Sequence, residues 1–88
     1  MNFTVNWRPS TLNDLADFWT NDPDRAAITA AANAIDQLLS TNPLQQGESR
    51  AGNTRILFVE PLAVLYDVDE DSHRVDVWDI WRWPPIGQ

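Results

Sequence analysis

Phe3, Val5 and Trp7 alternate with Asn2, Thr4 and Asn6, the period-two pattern of a half-buried strand. Pro9 and Ser10 end it. Thr11 then suits a helix N-cap, with Asp14 three residues on and Asp17 behind, carboxylates that favour the positive end of a helix dipole. Leu12, Leu15, Ala16 and Trp19 recur at i, i+3, i+4 and i+7 and predict a short amphipathic helix over residues 12–20. Asp22-Pro23 reads as a second start, Asp22 as N-cap and Pro23 at the first helical position. The long, alanine-rich helix that follows carries its apolar stripe on Ile28, Ala31, Ile35, Leu38 and Leu39, turns Asp36 and Gln37 outward, and stops at Asn42-Pro43. Two helices with a tight connection form a helical hairpin.

From Gly47 the period changes. Residues 55–60, 62–68 and 74–82 are rich in Val, Ile, Leu, Phe, Tyr and Trp, side chains that suit a pleated surface. Ala51-Gly52-Asn53 is a turn after a short strand around residues 48–50. Glu60-Pro61 marks a second corner, and 69–72 an acidic hairpin tip. A strand, two helices and then three or four antiparallel strands predict a single-domain α+β fold with the helices packed on one sheet face. Alternation along the last strand places Asp76, Trp78, Ile80 and Arg82 on one face and Val75, Val77, Asp79 and Trp81 on the other. Both faces thus carry apolar residues: one meets the helices, and the other fits either a partner chain or the core of a small domain.

Composition narrows the function classes. The chain has 88 residues, enough for one domain, with 43% apolar residues and five Trp. Its net charge of −7 repels polyphosphate at long range and disfavours general nucleic-acid coating. The absence of Cys excludes disulfides, thiolate zinc sites and cysteine nucleophiles. No stretch approaches a membrane span, and the N-terminal residues lack signal-peptide character. These features predict a cytoplasmic protein that needs no cofactor and contacts no membrane.

The candidate chemistry is sparse. Asp67, Asp69 and Asp71 start like a calcium loop, but Ser72 and Trp78 stand where the Gly and Glu of that loop belong, so a solvated tip is expected. His73, the single histidine, has no nucleophile placed by sequence and flanks an exposed hairpin. All six basic residues are Arg. Arg55 opens a central strand and Arg82 closes the last. If those strands pair, two planar guanidiniums converge on an anion; the competing reading pairs them with Glu48, Glu60, Asp67 or Asp79.

The order strand, helical hairpin, antiparallel sheet resembles the RelE/ParE superfamily of toxin–antitoxin toxins over nearly the whole chain. The resemblance is carried by FTVNW, AIDQLLSTNP, GESRAGNTRILF and LAVLYDVDEDSHRVDVWDIWR. It implies a small toxin neutralised by a cognate antitoxin. In the RelE-like branch it implies ribosome-dependent mRNA cleavage, with Arg55 and Arg82 stabilising the phosphorane-like transition state and Arg50 accessory. Trp81 and Trp83 would stack on a base. The branch's usual lysines and C-terminal Tyr or His are missing here. A ParE-like toxin that binds DNA gyrase, needing no catalytic constellation, and a non-toxic protein-binding relative are the alternatives.

Overall fold

The computed structural model describes residues 2–83. The chain runs β1 (Thr4–Trp7), α1 (Pro9–Asn21), α2 (Arg25–Thr41), β2 (Glu48–Ala51), β3 (Thr54–Val59), β4 (Leu62–Asp69) and β5 (Arg74–Arg82). The sheet has five strands rather than three or four, in the order β1-β5-β4-β3-β2. β2 to β5 are antiparallel, and β1 joins β5 in parallel, Val5 beside Val75. The helical hairpin carries the chain from β1 at one edge of the sheet to β2 at the other, and β2–β4 then bring it back to β5 beside β1.

Both helix starts differ from the sequence expectation. α1 begins at Pro9, whose missing N–H costs nothing in the first turn. Thr11 therefore lies inside the helix and is buried rather than capping it. Asp24, not Asp22, caps α2: its Oδ1 accepts the Ala27 N–H at 3.0 Å. Asp22 is buried in the connection, where its Oδ1 accepts from the Asp24 N–H at 2.8 Å.

The core lies between α2 and one sheet face. Ile28, Ala31, Ile35 and Leu39 pack against Leu57, Leu62, Val64, Tyr66, Val68, Val75, Val77 and Ile80. Leu15 and Phe18 bring α1 onto the same core. Leu12 and Trp19, expected in the buried stripe, instead remain 48% and 43% exposed. The buried face of α1 follows Thr11, Leu15 and Phe18, again at i, i+4 and i+7, rotated away from the stripe that sequence suggests.

A bulge reorders the last strand. Leu65 faces Asp79 while Tyr66 faces Val77, so Trp78 has no partner on β4. Val75, Val77, Ile80 and Arg82 share the helix-facing side, and Asp76, Asp79 and Trp81 the other. Strict alternation fails because one extra residue inverts the face of everything beyond it. Among the described residues no helix is long and apolar enough to cross a membrane.

Candidate functional site

Arg55 projects from β3 toward the helix-facing side, level with its register partner Tyr66. Its Nε donates to the Gln46 carbonyl at 3.0 Å, and Nη2 reaches the Gly47 carbonyl at 3.4 Å. The fully buried Tyr66 hydroxyl lies within hydrogen-bond distance of Pro43 O at 2.9 Å and Gln46 O at 2.8 Å. Burial pushes the Tyr66 phenol above its ordinary pKa, more than the hydrogen bond and charge of Arg55 pull it down. Arg55 and Tyr66 together pin the loop between α2 and β2. That loop also demands Gly47: φ is +66°, and a Cβ there would collide with the Ile56 carbonyl oxygen.

Arg82 sits at the other end of the sheet, level with Leu62. Its Nε lies 2.6 Å from Asp22 Oδ2, whose side chain is 2% exposed. The contact is an ion pair between a guanidinium and an almost wholly buried carboxylate. It ties the end of β5 to the α1–α2 connection. Asp22 is not among the carboxylates that the sequence pattern offers the arginines. The signal was an acid that Asp24 displaces from the capping role.

β4 separates β3 from β5, so Arg55 and Arg82 do not pair. They are four residues apart along the sheet and two strands across, about 16 Å between Cα atoms from standard strand spacing. Arg50 lies on edge strand β2, with Nη1 3.7 Å from Glu48 Oε2. Trp81 and Trp83 belong to the opposite face from Arg55 and Arg82; the Trp83 ring meets Phe58 at 5.3 Å between centroids. The five expected site residues therefore form no single constellation.

The acidic tip is a turn built on Asp69, whose Oδ1 accepts the Asp71 and Ser72 N–H groups at 3.1 and 3.3 Å. The Ser72 hydroxyl and backbone hold the Asp69 carboxyl below its ordinary range. His73 closes the tip with φ of 52° and stacks obliquely on Phe3 at 5.2 Å. Among the described residues no cluster of three metal-ligating side chains occurs.

Two surfaces among the described residues carry exposed apolar side chains. Between α1 and α2 runs an apolar groove of about 340 Å³, lined by Leu12, Leu15, Ala16, Trp19, Ile28, Thr29, Ala32 and Asn33. Trp19 is fixed at its rim by a 3.1 Å hydrogen bond to Thr29 Oγ1 and by the Arg25 guanidinium 4.8 Å over its ring. The second surface is the sheet face turned away from the helices.

A helical hairpin crossing between β1 and a four-stranded antiparallel unit defines the class: this is the fold of RelE- and ParE-type toxins. A chain of the toxin–antitoxin complex RelBE2 of Mycobacterium tuberculosis superposes with a TM-score of 0.78 at 19% identity, over 97% of this chain and 95% of that one. A chain of the chromosomal ParDE system of P. aeruginosa gives 0.70 at 18% identity, over 91% and 95%. The isolated E. coli RelE toxin gives 0.63 at 10% identity, over 97% and 88%. No family model matches the sequence, and no curated protein does. At these identities the likeness is one of fold.

Proposed function

We propose that this chain is the toxin component of a type II toxin–antitoxin module and acts by binding a protein target, as in the ParE-like reading, rather than by cleaving mRNA. The observation that carries this reading is the engagement of Arg55 and Arg82. One holds the Gln46 carbonyl and the other stands against buried Asp22, at opposite ends of the sheet. Transition-state stabilisation needs donors converging on one developing charge, and these two do not converge. The apolar α1–α2 groove suits the apolar face of a helix from a cognate antitoxin. The full-length likeness to chains from RelBE2 and ParDE complexes supports such a partner.

Induced expression, with and without the neighbouring reading frame, tests the proposal. The expected result is growth arrest relieved by the neighbour, with gyrase-dependent DNA breaks and intact mRNA. Codon-specific mRNA cleavage lost in Arg55→Lys and Arg82→Lys proteins that remain folded would instead establish the RelE-like reading. Normal growth with soluble protein would leave the non-toxic binding relative.

A further inference from the structure

The uncovered sheet face has a chemistry of its own. By strand register it carries Ala63 and Leu65 beside Trp81 and Asp79, with Phe58 opposite Ala63 on β3. Phe58 and Trp83 are 40% and 41% exposed and pack ring to ring. Among the described residues no element lies over them. An aromatic patch of this kind at the edge of a polar field is typical of a binding surface.

The charge around that patch is unevenly compensated. Arg8 holds Asp76, with Nε 2.7 Å from Oδ2. Arg50 accompanies Glu48, and Arg74 stands opposite Asp69. Among the described residues, Asp67 and Asp79 receive only neutral donors by hydrogen bond. Thr54 Oγ1 and Trp78 Nε1 donate to Asp67 Oδ1 at 2.6 and 3.2 Å, and the Ile80 N–H donates to Asp79 Oδ1 at 2.9 Å. In each case those bonds fall on Oδ1, which leaves acceptor capacity on Oδ2. Arg8 also feels the charge of Asp67, but its guanidinium is committed to Asp76. Among the described residues, five carboxylates against three guanidiniums make this face negative. It repels a phosphate backbone or an acidic peptide and favours a cation, which can meet a carboxylate and an indole ring together.

We propose that this open sheet face docks a basic segment of a protein partner, with two Arg or Lys side chains reaching Asp67 and Asp79 and an apolar side chain seated against Phe58, Trp81 and Trp83. Register puts the two carboxylates two residues apart on adjacent strands, about 8 Å between Cα atoms. That matches cations at i and i+2 of an extended segment, or at i and i+4 of a helix. The inference rests on the protein-binding reading above and deepens it by naming the partner's chemistry.

The five tryptophans make the test direct. Indole N–H signals of Trp78, Trp81 and Trp83 report this face, and those of Trp7 and Trp19 the helix side. Purified full-length protein is titrated with a twelve-residue peptide alternating Arg with Leu and Ser, with the same peptide carrying Glu for Arg, and with a uridine oligonucleotide. The Arg peptide should move the first three indoles only, and raised salt should weaken it. Asp67→Asn with Asp79→Asn, which keeps each Oδ1 acceptor, should weaken binding about tenfold or more. Asp14→Asn with Asp17→Asn on exposed α1 changes net charge equally and should leave affinity within about twofold.

The proposal is overturned by comparable movement of those indoles with the Glu peptide or the RNA. Arg-peptide shifts confined to Trp7 and Trp19, equal losses from both double variants, or a dimer that occludes the face before any peptide is added overturn it as well. The titration uses no cells, so absence of growth arrest with a positive titration removes the toxin reading alone. Growth arrest with a negative titration removes this surface alone.

Discussion

Arg55→Ala separates a structural arginine from one kept for an anion. In the wild type, one charge-assisted bond of 3.0 Å to Gln46 O and a long 3.4 Å contact to Gly47 O hold the loop after α2. A hydrogen bond from a charged donor contributes about 1.5–3 kcal/mol. Arg55 is half-buried and its second contact is marginal, so the lower half applies, about 1.5–2 kcal/mol. For a domain of this size that lowers Tm by roughly 6–16 °C. Tyr66→Phe removes the hydroxyl shared between Pro43 O and Gln46 O and should cost about 1–2 kcal/mol. Because both side chains donate to Gln46 O, their effects should not add, and a double-mutant cycle should show coupling of about 0.5 kcal/mol or more. Thermal melts and urea unfolding, followed by tryptophan fluorescence and far-ultraviolet circular dichroism, measure all four proteins. If Arg55→Ala melts within about 2 °C of wild type and the cycle closes to zero, the loop-pin account is wrong and Arg55 is free for a ligand.

The Arg82–Asp22 contact should respond asymmetrically, because Asp22 is the more deeply buried partner. Arg82→Gln leaves a buried carboxylate uncompensated and should cost about 2–4 kcal/mol, whereas Asp22→Asn leaves a guanidinium with access to water and should cost about half as much; thermal melts decide. Gly47→Ala forces a Cβ onto Ile56 O at positive φ and should lose about 2–4 kcal/mol in urea unfolding. Gly52→Ala, also at positive φ but with open space around it, should lose only about 1 kcal/mol. Burial pulls the Asp76 pKa upward, but hydrogen bonds from Arg8 and Asn6 and the charges of Arg8 and Arg74 hold it below its ordinary value. A depressed carboxylate stabilises above its unfolded pKa and loses that contribution as pH falls through the folded one, so Asp76→Asn should flatten the fall in stability below about pH 4. The pair is partly exposed to solvent, so the effect is small.

The sequence made the order of elements legible because its periods change where the elements change: two at Phe3–Trp7, near 3.6 in the helices, then β-rich runs broken at Gly52 and Pro61. Faces were harder to read. In α1, Leu12 and Trp19 fit a helical stripe as well as Thr11 and Phe18 do. Only packing shows that the buried edge runs through a threonine, a residue that hydropathy counts as polar. In β5, no residue type marks Trp78 as the bulge. A Trp tolerates either face, and the inversion beyond it moved Arg82 from the side of Asp76 to the side of Asp22. The parallel entry of β1 was hidden for a different reason, since pairing partners far apart in sequence leave no local trace.

The ranking of the arginines by what each would give up bears on where an anion could bind this fold. Arg50 is exposed and only 3.7 Å from an exposed Glu48, so releasing it costs at most a fraction of a kcal/mol. Arg55 must release a main-chain carbonyl and loosen a loop, at about 1.5–2 kcal/mol. Arg82 must leave a carboxylate that is almost wholly buried, at a few kcal/mol. A phosphate approaching this protein would therefore recruit Arg50 on the edge strand first and Arg82 last. That order is the reverse of a site in which Arg55 and Arg82 do the chemistry and Arg50 assists. The same comparison makes Arg50→Ala the variant that best tests weak phosphate binding: it should abolish what little there is while leaving Tm unchanged. A phosphate affinity that survives Arg50→Ala and disappears in a folded Arg82→Lys protein would reverse the ranking and restore the catalytic pair.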